Sequence, residues 1–158
     1  MSELTIQLAL ASVMVLVTVI VHLVGLAVLV RVLRSHHHLA KRLQISPLTL
    51  LLAASIGLFA LHTIEIWLYA LLYLLLGAIG DFETSLYFST VTYASVGYGD
   101  VLLGKPWRIL GAIEGATGII MLGWSTAFLV SLLAQLKLLS HDWLTPTRDG
   151  KPRGETRL

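Results

Sequence analysis

Val91-Thr92-Tyr93-Ala94-Ser95-Val96-Gly97-Tyr98-Gly99-Asp100 lies between two long apolar segments and follows a short amphipathic one. L-residues in a β conformation point successive carbonyls in opposite directions. Alternation with left-handed conformations brings the carbonyls to one side, and Gly97 and Gly99 have the spacing for it. Several such strands around one axis can replace the water shell of a cation. Val96 and Tyr98 then point away from that axis, and the Ser95 hydroxyl adds an innermost ligand. Irregular backbone survives at membrane depth only when it is buried in protein or lines water. The bland alternative is that Gly97-Tyr98-Gly99-Asp100 is an ordinary extracellular turn.

The composition puts this stretch in a membrane. Hydrophobic residues make up 56% of the 158 and charged ones 13%, against about 25% charged in a soluble domain. The mean hydropathy is +0.84. The length suits one membrane domain without a second large one. No cysteine is present, which excludes a disulfide and a thiolate metal site. Nothing in the composition points to nucleic acid.

Read in order, residues 4–30 form an almost unbroken apolar run, longer than the about 20 residues a spanning helix needs. The leader Met1-Ser2-Glu3 carries no positive charge, so the run reads as a retained helix over 1–34, not a signal peptide. His22 and Gly25 lie within it, and a lone histidine there is expected to hydrogen-bond to a neighbour. A basic loop follows over 35–46, flanked and filled by Arg31, Arg34, His36, His37, His38, Lys41 and Arg42. Its cations suit anionic lipid headgroups. Its three histidines read as a metal or pH site, or more simply as a solvated turn near lipid phosphates.

Ser46-Pro47 starts the next helix, with serine as the cap and proline at the first position. This helix is expected over 47–79, with Trp67, Tyr69 and Tyr73 in an outer interfacial belt. His62 and Glu65 share a face. An unpaired charge at mid-bilayer costs about 2.5–3.5 kcal/mol or more, so Glu65 must lie near the interface, be paired, or be protonated. Gly77 to Gly80 breaks the helix, and Asp81 can cap a short one over 81–94, too short to span. Its C-terminal dipole would stabilise a cation. A third long helix is expected over 106–139, anchored at the outer interface by Trp107, before a polar tail at 141–158 that is expected to be disordered.

Charge gives the orientation. Of the 11 Lys and Arg residues, nine fall in the 31–42 region and from Lys137 onward, and only Lys105 and Arg108 fall near the 95–100 segment. The positive-inside rule then puts the loop and tail in the cytoplasm and the N-terminus outside, in a multi-pass plasma-membrane protein, with a prokaryotic inner membrane favoured.

Ser95-Val96-Gly97-Tyr98-Gly99-Asp100 resembles the potassium-channel selectivity filter, usually Thr-Val-Gly-Tyr-Gly-Asp, with serine for threonine. Over about residues 48–135 the chain looks like the pore module of prokaryotic two-helix potassium channels: outer helix, pore helix, filter and inner helix (47–140 in all), preceded by one extra helix on the lipid-facing periphery. The resemblance implies an all-α membrane fold of three transmembrane helices plus a re-entrant pore helix and filter loop. It also implies a fourfold homotetramer that binds K⁺ at the carbonyls of Ser95, Val96, Gly97 and Tyr98, supported by Gly99 and Asp100. Family inner helices carry hinge glycines at positions similar to Gly118 and Gly123. Gly111 and Gly115 form a small-xxx-small pattern, so Gly118 reads equally as a packing residue. Ile119, Leu122, Thr126 and Val130 recur at helical spacing and are assigned to the pore.

Two positions depart from the family pattern. Val91 stands where some bacterial members have a glutamate coupled to the aspartate after Gly-Tyr-Gly. Tyr87 is expected to donate to Asp100 instead. Glu114 lies inside the inner helix, where Thr90, Thr92, Arg108 or His62 are the expected partners. With Glu65 and His62 it forms a set of modulatory candidates. The sequence holds no nucleophile–base pair and no phosphate loop, so no enzyme is expected. The competing readings are a non-selective cation channel, with Ser95 loosening the filter, and a non-conducting sensor or partner subunit with His36, His37 and His38 as its metal site.

Overall fold

A computed structural model describes residues 3–42, without the side chains from 36 onward, and residues 46–136. The expected tail at 141–158 lies outside the described residues, as do the side chains of His36, His37, His38, Lys41 and Arg42. The described residues are helical throughout their regular structure: α1 Glu3–Arg42, α2 Pro47–Leu75, α3 Phe82–Tyr93 and α4 Arg108–Gln135. Glu3–Ser35 of α1, all of α2 and all of α4 are long and apolar enough to cross a membrane. At 12 residues, α3 reaches only about 18 Å and cannot.

The helix ends follow local chemistry. Ser46 sits in an extended conformation and its hydroxyl accepts from Leu48 N at 3.2 Å, with Pro47 starting α2. Helix α2 stops four residues earlier than the apolar run suggests. Gly77 turns left-handed (φ +61°), Ala78 N donates to Tyr73 O, and Gly77 N donates to Leu74 O. This is a Schellman closure, which satisfies the last carbonyls and which glycine adopts without a Cβ penalty. Asp81 then caps α3 by accepting from Thr84 N and from the Thr84 hydroxyl, both at 2.8 Å. Helix α4 starts at Arg108, and Trp107 gives it no side-chain cap. Gln7 from α1 fills that role: Ile109 N donates to Gln7 Oε1 at 3.2 Å, and Gln7 Nε2 donates to Lys105 O at 3.4 Å.

Helix α1 runs on through Arg42, so the backbone at 35–42, expected to be a loop, is helical. Gln7, Ala11, Thr18 and His22 form its buried stripe, and it packs on α2 and α4. The α1–α2 contact is close because each helix sets a leucine on the other's glycine. A Cβ at Gly25 would lie 2.4 Å from Leu61 Cδ1, and one at Gly57 would lie 2.7 Å from Leu29 Cδ1. Helix α3 packs against the same two helices, α2 and α4. Tyr69, Tyr73, Phe88, Tyr93, Leu110 and Met121 form the core there. Tyr73 and Phe88 meet edge to face with ring centres 5.3 Å apart. The expected aromatic belt is thereby corrected. Trp67 faces outward, but Tyr69 and Tyr73 are fully buried inside the chain; Tyr73 turns its hydroxyl to Glu114 of α4 and its ring to Phe88 of α3.

Candidate functional site

The 95–100 segment leaves the C-terminal end of α3 under tight backbone control. Ser95 N donates to Thr92 O at 2.9 Å. Val96 N and Gly97 N both donate to the carbonyl of Val91, at 2.8 and 3.0 Å. The segment then alternates. Ser95, Gly97 and Gly99 have φ of +57°, +53° and +78°, while Val96 and Tyr98 do not enter the positive range. Left-handed and right-handed residues in alternation turn successive carbonyls toward one side, where an all-extended strand would alternate them. Among the described residues, no hydrogen bond is donated to the carbonyls of Ser95, Val96, Gly97 or Tyr98. Val96 and Tyr98 are 53% and 71% exposed on the single chain. Glycine spacing anticipates two of the three left-handed positions. Ser95 is the third, and the sequence held no glycine to announce it.

Asp100 is tied back to α3. The Tyr87 hydroxyl donates to its Oδ2 at 2.7 Å, the pairing expected from the sequence. That bond holds the Asp100 carboxyl below its ordinary value and pushes the Tyr87 hydroxyl up. Val91 has no side chain for this work, but its carbonyl is what anchors the start of the segment.

Behind α3, two fully buried carboxylates each join several helices. Glu114 of α4 accepts from the hydroxyls of Tyr73 on α2 and Ser89 on α3, each at 2.5 Å. Its expected partners Thr90, Thr92, Arg108 and His62 are not the ones it meets. Ser89 occupies the buried face of α3, one helical turn from Ser85 and from Tyr93, while Thr90 turns outward. Glu65 of α2 has partners, which meets one of its three expected states. It receives His22 Nδ1 of α1 at 2.8 Å, His62 Nδ1 at 2.9 Å, and the Tyr93 hydroxyl. His62 Nε2 reaches Ser125 Oγ of α4 at 2.9 Å. His22, the lone histidine of the apolar run 4–30, thus has the neighbour expected for it. Sequence reasoning overlooked Tyr73, Ser89, Tyr93 and Ser125. The recurrence of Ser85, Ser89 and Tyr93 every four residues was the available signal for a polar stripe turned inward.

On α4, Gly118 is a packing glycine. A Cβ there would lie 2.0 Å from the Tyr93 carbonyl oxygen, so α4 passes against the backbone end of α3. Gly123 has open space around it. Gly115 also faces α3, and the Ser95 hydroxyl lies 3.4 Å from its carbonyl oxygen. Ile119, Leu122, Thr126 and Val130 are all uncovered on the single chain. The Thr126 hydroxyl donates back to Leu122 O at 2.9 Å, which leaves its oxygen free to accept.

A family model described as an ion channel matches residues 51–135, from α2 through α4. No curated protein and no solved structure matches the chain.

Proposed function

The chain belongs to this ion channel family, and from that premise we propose that it is a potassium-selective channel assembled from four copies around the 95–100 segment. The observation that carries the reading is the alternation of φ sign at Ser95, Gly97 and Gly99, together with carbonyls that accept no hydrogen bond from the described residues. One segment supplies oxygens from one side only. Fourfold symmetry closes the ring and gives a dehydrated K⁺ oxygens in place of water.

In this reading Val96 and Tyr98, so exposed on one chain, pack between subunits and hold the ring open. Tyr87 and Asp100 clamp the outer end of the filter to the pore helix α3. Ile119, Leu122, Thr126 and Val130 face the central cavity, and α3 aims its C-terminal dipole at the ion there. Gly118 is fixed against Tyr93, which leaves Gly123 as the freer point of α4 for gating motion. Glu114 anchors α3 from behind. The basic end of α1 (Arg31, Arg34, Lys41 and Arg42) lies at the cytoplasmic face near anionic headgroups, with the N-terminus outside.

The test is ion flux from liposomes containing the purified chain. Potassium flux that barium blocks, with little sodium flux, is the expected result. The contact of the Ser95 hydroxyl with Gly115 O favours a second reading, in which serine turns away from the ion path and the channel passes both cations. Equal potassium and sodium flux would select it.

A further inference from the structure

We propose that His22, His62 and Glu65 form a buried zinc site that joins α1 to α2. One nitrogen of each imidazole and one Glu65 oxygen lie within 4.8 Å of one another. The individual contacts are 2.8 Å from His22 Nδ1 to Oε1 and 2.9 Å from His62 Nδ1 to Oε2. Tetrahedral zinc at about 2.0–2.1 Å from each donor spaces its ligand atoms about 3.3 Å apart; the two contacts fall somewhat short of that value, and all three donors lie within 4.8 Å. His62 and Glu65 are three apart on one helix face, with His22 facing them from α1. A carboxylate and an imidazole at that spacing, completed from a neighbouring helix, is a way helical bundles hold metals.

Hydrogen bonding alone leaves the cluster short. If both histidines are neutral and donate through Nδ1, Glu65 is a fully buried anion with no counter-charge in an apolar span. If His22 is an imidazolium, its Nε2–H is buried and has no acceptor, since that atom has no partner among the described residues. An imidazolium at His62, whose Nδ1 and Nε2 both have partners, balances the charge and leaves only His22 Nε2 without one among the described residues of the cluster. A divalent cation supplies the positive charge by coordination, without an imidazolium. Two imidazoles and a carboxylate are the ligand set that suits zinc over magnesium or calcium, which prefer oxygen. The Tyr93 hydroxyl, bonded to Glu65, and Ser125 Oγ, bonded to His62, stand next to the ligands and orient them.

The site is independent of whether the chain conducts. The test uses full-length, tag-free protein in which His36, His37 and His38 are all replaced by glutamine, because that run is a competing chelator. The protein is expressed with zinc, purified in detergent and dialysed. Zinc per chain is read by mass spectrometry, and its ligands by X-ray absorption. The expected result is about one zinc per chain with two imidazoles in its shell, and at least about a tenfold loss of affinity in His22→Gln made in the same background. Zinc-free protein, a single-imidazole shell, or occupancy unchanged in His22→Gln would overturn the proposal. If His22→Gln does not fold, the ligand shell of the unsubstituted site decides alone.

Discussion

A Cβ on Gly118 would stand 2.0 Å from the carbonyl oxygen of Tyr93, the last residue of α3. This contact sets how closely α4 passes the start of the 95–100 segment, because backbone cannot move aside as a flexible side chain can. Gly118→Ala must push the helices apart. The expected cost is about 1–3 kcal/mol, as for other over-packed sites. Gly123→Ala, in open space, should be neutral or gain up to about 1 kcal/mol from helix propensity. Thermal unfolding of the two variants in detergent checks the contrast, and equal behaviour would show that the close approach is not maintained.

Glu114 is a structural tie between three helices. Tyr73→Phe and Ser89→Ala each leave one of its oxygens without a donor in a fully buried place, at about 1–3 kcal/mol apiece. The two partners share one carboxylate, so the double variant should depart from additivity. A double-mutant cycle on unfolding measures the coupling, and strict additivity would sever the link.

Tyr87→Phe removes the donor that holds the Asp100 carboxyl low. The Asp100 pKa should then rise toward its ordinary 3.8. Because its folded value is depressed, the contribution to stability is present at neutral pH and is lost as pH falls through the depressed value. The parent and Tyr87→Phe should therefore differ at neutral pH and converge in acid. Carbon-detected NMR titration of Asp100 reads the shift directly. Under the channel reading, inactivation at the filter should also change in Tyr87→Phe.

Gln7 reaches from α1 to the uncapped start of α4. Gln7→Ala should cost about 0.5–2 kcal/mol, the range for losing a helix cap. Gln7→Glu keeps the acceptor for Ile109 N at the positive helix end but loses the donor to Lys105 O, so it should retain only part of that stability. Proteolysis near residue 105, compared across the three chains, would reveal the most frayed start of α4 in the alanine variant.

Much of this architecture is legible in the sequence. Three apolar runs, Ser46-Pro47, the Gly77–Gly80 break and Asp81 are local signals, and local chemistry decides where helices begin and end. The Tyr87–Asp100 pairing was legible because both residues flank one short segment. The buried ties were not. Glu114 meets Tyr73 and Ser89, and Glu65 meets His22 and Tyr93, across 25 to 43 residues of sequence. Which hydroxyl fills such a pairing depends on helix rotation and packing, and one sequence does not contain that. The positive φ of Ser95 was not legible for a related reason. Its left-handed backbone is imposed by two amides folding back onto Val91 O, not by its own preference.

The most direct test of the central claim is the reversal potential of the reconstituted channel with potassium on one side of a planar bilayer and sodium on the other. A potassium-selective pore gives a potential displaced strongly toward that of a potassium electrode, at least about 60 mV for a tenfold preference. A reversal potential near zero would contradict that claim, and would mean that the Ser95–Tyr98 carbonyls do not select between the two ions.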